Sequence, residues 1–202
     1  MAHGAGARTA SVPGDQQPGP EVVRRLDEVT ASLDDLGEVL AAEEDLGRVL
    51  QRSVDQVTTS VPGADMASVS VLRGDSAETI ASSSDQVWAV DADQYAAGDG
   101  PCLEAARTGH VVRTGMQEAQ RRWPQFARRA RAAGVGSYLS CPLMIDEEFA
   151  GSLNLYSSQP HGFADFDVAL LRLYTAAVCA HSGTPIRFPR SCAGSVTSPV
   201  RT

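Results

Sequence analysis

The sequence predicts an α+β domain, with a central antiparallel sheet, the terminal helices on one face and a roof of loops and short helices over a pocket on the other. Three observations predict it. Strand-like runs come in neighbouring pairs joined by tight turns: Ala67–Leu72 with Thr79–Ser82 across Arg73-Gly74-Asp75, and two runs within 134–157 joined across Asp146-Glu147-Glu148. Long helical stripes bracket these pairs. Between them lies a Gly98-Asp99-Gly100-Pro101-Cys102 turn, and a turn, a helix and a hairpin in that order can enclose a small molecule.

Residues 1–19, rich in Gly, Ala, Pro and Gln, are expected to be a disordered leader. Pro20 can open a helix, where its missing N–H would have no partner anyway. An N-terminal amphipathic helix over 20–42 follows. Val22, Leu26, Val29, Leu33, Leu36 and Leu40 recur at 4-3-4-3-4 spacing, which fits a helix lying on its own domain or one that forms a dimer; Gly37 weakens the second. The folded domain then spans 43–181. Leu46, Val49, Leu50, Val54 and Val57 continue a helical face up to Val61-Pro62-Gly63. After the first strand pair, residues 84–97 fit either a short helix or a lid loop. Leu103–Arg107 reads as a short helix stopped by Gly109, and His110–Arg113 as a short strand.

A well-marked amphipathic helix is expected over about 117–133. Trp123, Phe126, Ala127, Ala130 and Gly134 share one face, and Arg121, Arg122, Arg128, Arg129 and Arg131 point away. Pro124 places the start of its regular part near Trp123. The last helix covers 163–181, with Asp165 or Asp167 suited to its N-terminal end. From 182 to 202 the Gly-, Pro- and Ser-rich chain is expected to be a disordered tail.

Composition narrows the function. With 202 residues, 43% of them hydrophobic, the chain can bury one good core. All 17 basic residues are Arg, and the net charge of -8 argues against broad adhesion to nucleic acid or acidic lipid. No run approaches the roughly 18 apolar residues of a membrane span, and the N-terminus lacks a signal peptide's apolar stretch, so a cytoplasmic protein with no membrane partner is expected. Cys102, Cys141, Cys179 and Cys192 are widely spaced without a C-x-x-C, and are expected to be free thiols.

Five pieces in order carry a resemblance: Val61-Pro62-Gly63-Ala64-Asp65, Gly98–Leu103, Arg122–Ala127, Gly136–Leu143 and Gly151–Ser157. On these the chain resembles a GAF domain over about 43–181, and more narrowly the sensor domains of actinobacterial regulators that carry an RNA-binding ANTAR domain behind the sensor. The resemblance implies a small-molecule or signal-sensing module, often dimeric through its terminal helices, that acts in transcription regulation or signal transduction through a regulatory protein partner. The residues after 181 include Pro185, Pro189 and Pro199 and do not suit the helical RNA-binding segment, so direct nucleic-acid binding is not expected.

Free methionine sulfoxide reductases also have the GAF fold and place a cysteine in the turn where Cys102 stands. Here only Cys141 offers a second thiol, and its alternation with Leu139, Leu143 and Ile145 points to plain burial. Reductase chemistry is therefore an alternative, as is a dimerisation scaffold with no ligand. Cys102, at a helix start, is in a position where amide dipoles favour a thiolate.

No cofactor is expected and the ligand is left open. For haem, only His110 lies near the expected pocket; His3, His161 and His181 do not. The Asn-Lys-x-Phe-Asp-type signature of cyclic-nucleotide GAF domains is impossible without Lys. Asp91, Asp93 and Asp99 read as a solvated acidic loop rather than metal ligands. The arginines of 121–131 read as an exposed polar face. Neither a G-x-S-x-G elbow nor paired carboxylates support hydrolysis, and no enzyme activity is expected. The ligand-binding candidates are Trp88, Tyr95, Cys102, Trp123, Tyr138, Ser140, Asn154 and Tyr156, aromatic walls with a few polar tips.

Overall fold

The computed structural model describes residues 20–42, 45–74, 76–144 and 150–181. The leader, the tail with Cys192, Ile145 and the acidic turn at 146–148 lie outside the described residues. In chain order the elements are α1 (Pro20–Ala42), α2 (Leu46–Ser60), β1 (Met66–Arg73), β2 (Ser76–Ser82), α3 (Asp85–Ala97) and α4 (Pro101–Thr108). There follow β3 (Val112–Gly115), α5 (Met116–Arg122), α6 (Pro124–Ala132), β4 (Ser137–Met144), β5 (Ala150–Ser157) and α7 (Asp165–His181). The strands form one antiparallel sheet in the order β2-β1-β5-β4-β3, the α+β architecture that the strand pairs predicted.

Register explains the layering, because side chains alternate between faces along each strand. In the rows Ala67–Leu155–Leu139 and Val69–Leu153–Cys141, every side chain is apolar. These rows form one core with Val49, Leu50, Val54 and Val57 of α2 and Leu170, Leu171, Tyr174 and Val178 of α7. The terminal helices thus cover one face. Asp45 caps α2 by accepting the Arg48 amide at 3.0 Å, and Asp167 holds the start of α7 by accepting the Ala164 amide at 2.7 Å.

The apolar stripe of α1 divides. Val29, Leu36 and Leu40 are buried on the domain, whereas Val22 and Leu26 remain about half exposed. The helix packs on α2 and α7, and Arg25 ties it to α7 through Asp167 at 3.1 Å and the face of Phe166.

Two local readings change. The helix expected over 117–133 is two helices, because Pro124 offers no N–H and crowds the preceding turn. The chain breaks at Trp123 (φ -133, ψ 68), and α6 restarts with proline in its first turn. Phe126, Ala127 and Ala130 are buried as the spacing predicted, but Gly134 is exposed. Of the two alternatives for 84–97, the helix is the one formed, over Asp85–Ala97. Its buried positions Val87, Val90, Asp91 and Gln94 follow helical spacing, but two of the four are polar, so no apolar stripe marked it.

Candidate functional site

The second face of the sheet is polar and yet buried. Ser68 pairs with Asn154, which pairs with Ser140; Ser70 pairs with Ser152 and, across β2, with Thr79. All six are at most 5% exposed. An antiparallel sheet with one polar face ordinarily turns it to water. Here α3 and α4 cover it, so hydroxyls and amides line the space between two layers.

The roof contributes Asp91, Gln94 and Tyr95 from α3 and Cys102 from α4. Asp91 is fully buried. It accepts hydrogen bonds from Tyr156 Oη, from Thr79 Oγ1 at 2.8 Å and from Gln94 Nε2 at 3.4 Å. Tyr95 Oη donates to Ser70 Oγ at 2.8 Å and lies 2.8 Å from Thr79 Oγ1. Asn154 Nδ2 donates to Ser68 Oγ at 3.2 Å and to Ser70 Oγ at 2.9 Å. Ser152 Oγ donates to the Cys102 carbonyl at 3.1 Å. Burial pushes the Asp91 carboxyl above its ordinary range, against the hydrogen bonds that oppose the shift, and it pushes the phenols of Tyr95, Tyr138 and Tyr156 up as well.

The glycine turn holds this roof in place. Gly98 ends α3 in the left-handed conformation (φ 68). At Gly100 (φ 157) a Cβ would lie 2.7 Å from Gln94 Cγ, so only glycine lets the Gln94 side chain cross the turn. There Gln94 Oε1 accepts the Cys102 amide at 3.0 Å. The turn is a clamp on a buried glutamine, and the motif read from the sequence acquires a structural cause.

Two side-chain groups on this polar face have no partner among the described residues, Asn154 Oδ1 and Tyr138 Oη. Buried polar groups are nearly always satisfied, and an exception marks a place for water or a ligand. Beside them stands an aromatic group: Tyr138 meets Tyr156 edge-on at 5.9 Å and Phe126 at 5.2 Å between ring centroids.

The structure therefore brings together Tyr95, Cys102, Tyr138, Ser140, Asn154 and Tyr156 on one layer. Trp123 is buried beside them in the apolar cluster of Phe126, Tyr138 and Tyr156, with the Arg122 guanidinium over its ring. Trp88 stands apart, 47% exposed on α3 away from the buried Val87–Val90 side. Sequence reasoning missed Ser68, Ser70, Thr79, Gln94 and Ser152, and it misread Asp91. The expected solvated loop is a helix, and its three acids part company: Asp91 points inward, Asp93 pairs with Arg129 and Asp99 accepts the Gly100 amide. Val87 and Val90 alone carried an apolar signal for that face. Among the described residues no group of three His, Cys, Asp or Glu is placed to hold a metal ion.

The helix start that could favour a thiolate at Cys102 is outweighed by burial. Complete burial, followed by the neighbouring Asp91, raises its pKa well above the ordinary thiol value. Cys141 is pushed up to about 11 by burial and faces α7, on the opposite side of the sheet from Cys102. In a Cys192→Ser background, Ellman's reagent is expected to label fewer than one thiol per native chain and all three described thiols after denaturation. Rapid native labelling would contradict this burial.

A separate open cleft of about 540 Å³ lies at the far edge of the sheet, lined by Arg113, Met116, Arg121, His161 and Phe163 among others. None of the six paired residues named above lines it, but Thr114, which stands opposite Tyr138 in the register, does. His110 is exposed.

Comparison with known proteins places this geometry. The GAF domain family model matches residues 43–178. Three solved structures share the fold at low identity. The GAF domain of a phosphoenolpyruvate-protein phosphotransferase from Acinetobacter is 15% identical, with 79% of this chain and 93% of that one covered and a TM-score of 0.56. Free methionine-R-sulfoxide reductase from Neisseria meningitidis, solved with its substrate, is 15% identical over 83% and 93%, with a TM-score of 0.61. The phycocyanobilin-bound GAF domain of a cyanobacterial phytochrome is 11% identical over 75% and 92%, with a TM-score of 0.57. No curated relative matches the sequence. With its antiparallel sheet, its helix-roofed polar face and a family match over most of its length, the chain belongs to the GAF domain family.

Proposed function

We propose that this chain is a sensory domain that holds a small molecule against the polar face of β1, β5 and β4, beneath α3 and α4. The observation that carries the reading is the pair of partnerless buried groups, Asn154 Oδ1 and Tyr138 Oη, on a face otherwise filled with hydrogen-bonded hydroxyls. A layer that served stability alone would be better built from apolar side chains, since each buried polar group without a partner costs about 1–3 kcal/mol. Binding shifts α3, which is anchored by only two buried apolar side chains, Val87 and Val90. The change then passes through the sheet to the terminal helices and on to a regulatory partner. The half-exposed Val22 and Leu26 suit a homodimer contact through α1. Output in bacterial transcription or signalling follows the resemblance to ANTAR-bearing regulators, and buried free thiols suit a reducing cytoplasm. The reading is non-enzymatic: a raised Cys102 thiol with Cys141 across the sheet gives no attacking and resolving pair, so no Cys102-dependent reduction of free methionine sulfoxide is expected.

A thermal-shift screen of a metabolite library tests this. Compounds that raise the Tm of the wild type by several degrees are expected. Tyr138→Phe removes a hydroxyl with no partner, so the unliganded Tm should stay level or rise, while Asn154→Leu should lose most of the ligand response. A ligand response of the same size in Tyr138→Phe and Asn154→Leu would move binding off this face and overturn the reading.

A further inference from the structure

The same layer restricts the chemistry of its ligand; this inference rests on the sensory reading above. Asp91 is fully buried, and the groups around it are Tyr156, Thr79, Ser68, Gln94, Tyr95 and Cys102. The titratable ones from α3, α4 and β5 are two phenols, a thiol and the carboxyl itself, all neutral or anionic. No Arg or His side chain is buried among the described residues, and the chain has no Lys. Two arginines that reach α3 are engaged at its outer side: Arg129 pairs with Asp93, and Arg107 donates to the Gly98 carbonyl. A buried carboxyl normally has a cation beside it, and this one does not.

The second observation is independent. Asn154 Nδ2 is committed to Ser68 and Ser70, which leaves its Oδ1 as an acceptor without a donor. Ser68 hydrogen-bonds both Asn154 and Asp91, so the unpartnered Asn154 Oδ1 and a carboxyl whose hydrogen-bond donors are all uncharged stand one hydroxyl apart. Next to them are the rings of Tyr138, Tyr156 and Phe126, which suit an apolar body or the flank of a cation.

We infer that the ligand is a small primary amine with an apolar or aromatic body, its ammonium held between the Asp91 carboxylate and Asn154 Oδ1 and its body against the Tyr138–Phe126 rings. Carboxylate and phosphate compounds are rejected, because they would enter a layer that supplies an acid and no cation. The protons balance simply. Burial raises the pKa of the Asp91 carboxyl, so whatever proton it holds before binding passes to solvent as the ammonium arrives, and the two charges pair inside.

The test uses three probes of similar shape on the full chain: 2-phenylethylamine, 2-phenylethanol and 3-phenylpropionate. Affinity is read by calorimetry in two buffers of different ionisation enthalpy. The expected result is binding of the amine alone, release of up to one proton in the wild type, and an affinity loss of about tenfold or more in Asp91→Asn with no proton release. If Asp91→Asn does not fold, Asn154→Leu takes its place, with the same loss of amine affinity expected. Binding of the alcohol or the acid at the amine's affinity, or an amine affinity that Asp91→Asn leaves unchanged, overturns the amine assignment and leaves the sensory reading standing. Failure of all three probes overturns the amine assignment too, and the sensory reading is then judged separately by the library screen.

Discussion

Asp91→Ala is expected to lower stability by about 2–4 kcal/mol, measured by urea denaturation at pH 7. The substitution leaves the Tyr156 hydroxyl, the Thr79 hydroxyl and the Gln94 amide without their shared acceptor in a layer sealed from water. Asp91→Asn keeps the shape and one acceptor oxygen and should cost far less. The pH dependence separates the two explanations of a destabilised variant. The folded-state pKa of Asp91 lies above its unfolded value, so between those two values the native chain binds more protons than the unfolded one. Its contribution is fully present below about pH 4 and falls as pH rises through the folded value. Wild type should therefore lose stability relative to Asp91→Asn as pH rises from 4 toward neutrality. Parallel profiles for the two proteins would mean that Asp91 is ionised in the native state.

Gly100→Ala carries the second large effect, an expected loss of about 2–4 kcal/mol. The φ of 157 is strained for any residue with a Cβ, and that carbon would press on Gln94 Cγ. Displacing Gln94 releases the Cys102 amide and one donor to Asp91 together. Gly98→Ala is the control. It too has a positive φ (68), in the left-handed helical region, but open space around the added carbon, so about 1 kcal/mol is expected. Equal costs at the two glycines would show that backbone strain alone matters, and that the clamp on Gln94 does not.

Much of the fold was legible in the sequence. Alternation along 67–72 and the tight turns gave the antiparallel pairs, apolar spacing gave α1 and α2, and an acidic start marked α7. The division of labour between the sheet faces was not legible. Ala67-Ser68-Val69-Ser70-Val71 reads as a strand with one side to water, and nothing local says that a helix will cover the serines. That helix, α3, was equally hidden, because the residues it buries include Asp91 and Gln94, which periodicity counts as outward-facing. The two obscurities have one cause, a buried polar interface in which each side conceals the other's hydrophobic signature. The candidate residues taken from aromatic and turn signals fell on the layer where they sat on strands or beside the glycine turn. Trp88 did not, because one position along α3 rotates a side chain by about 100°.

The most direct measurement is hydrogen exchange by mass spectrometry, with and without a compound that raises the Tm. The account predicts slowed exchange in α3, α4 and β5, with the edge cleft around Arg113, Arg121 and His161 unchanged. Protection confined to that cleft, with α3 exchanging as before, would contradict it and place the ligand on the surface.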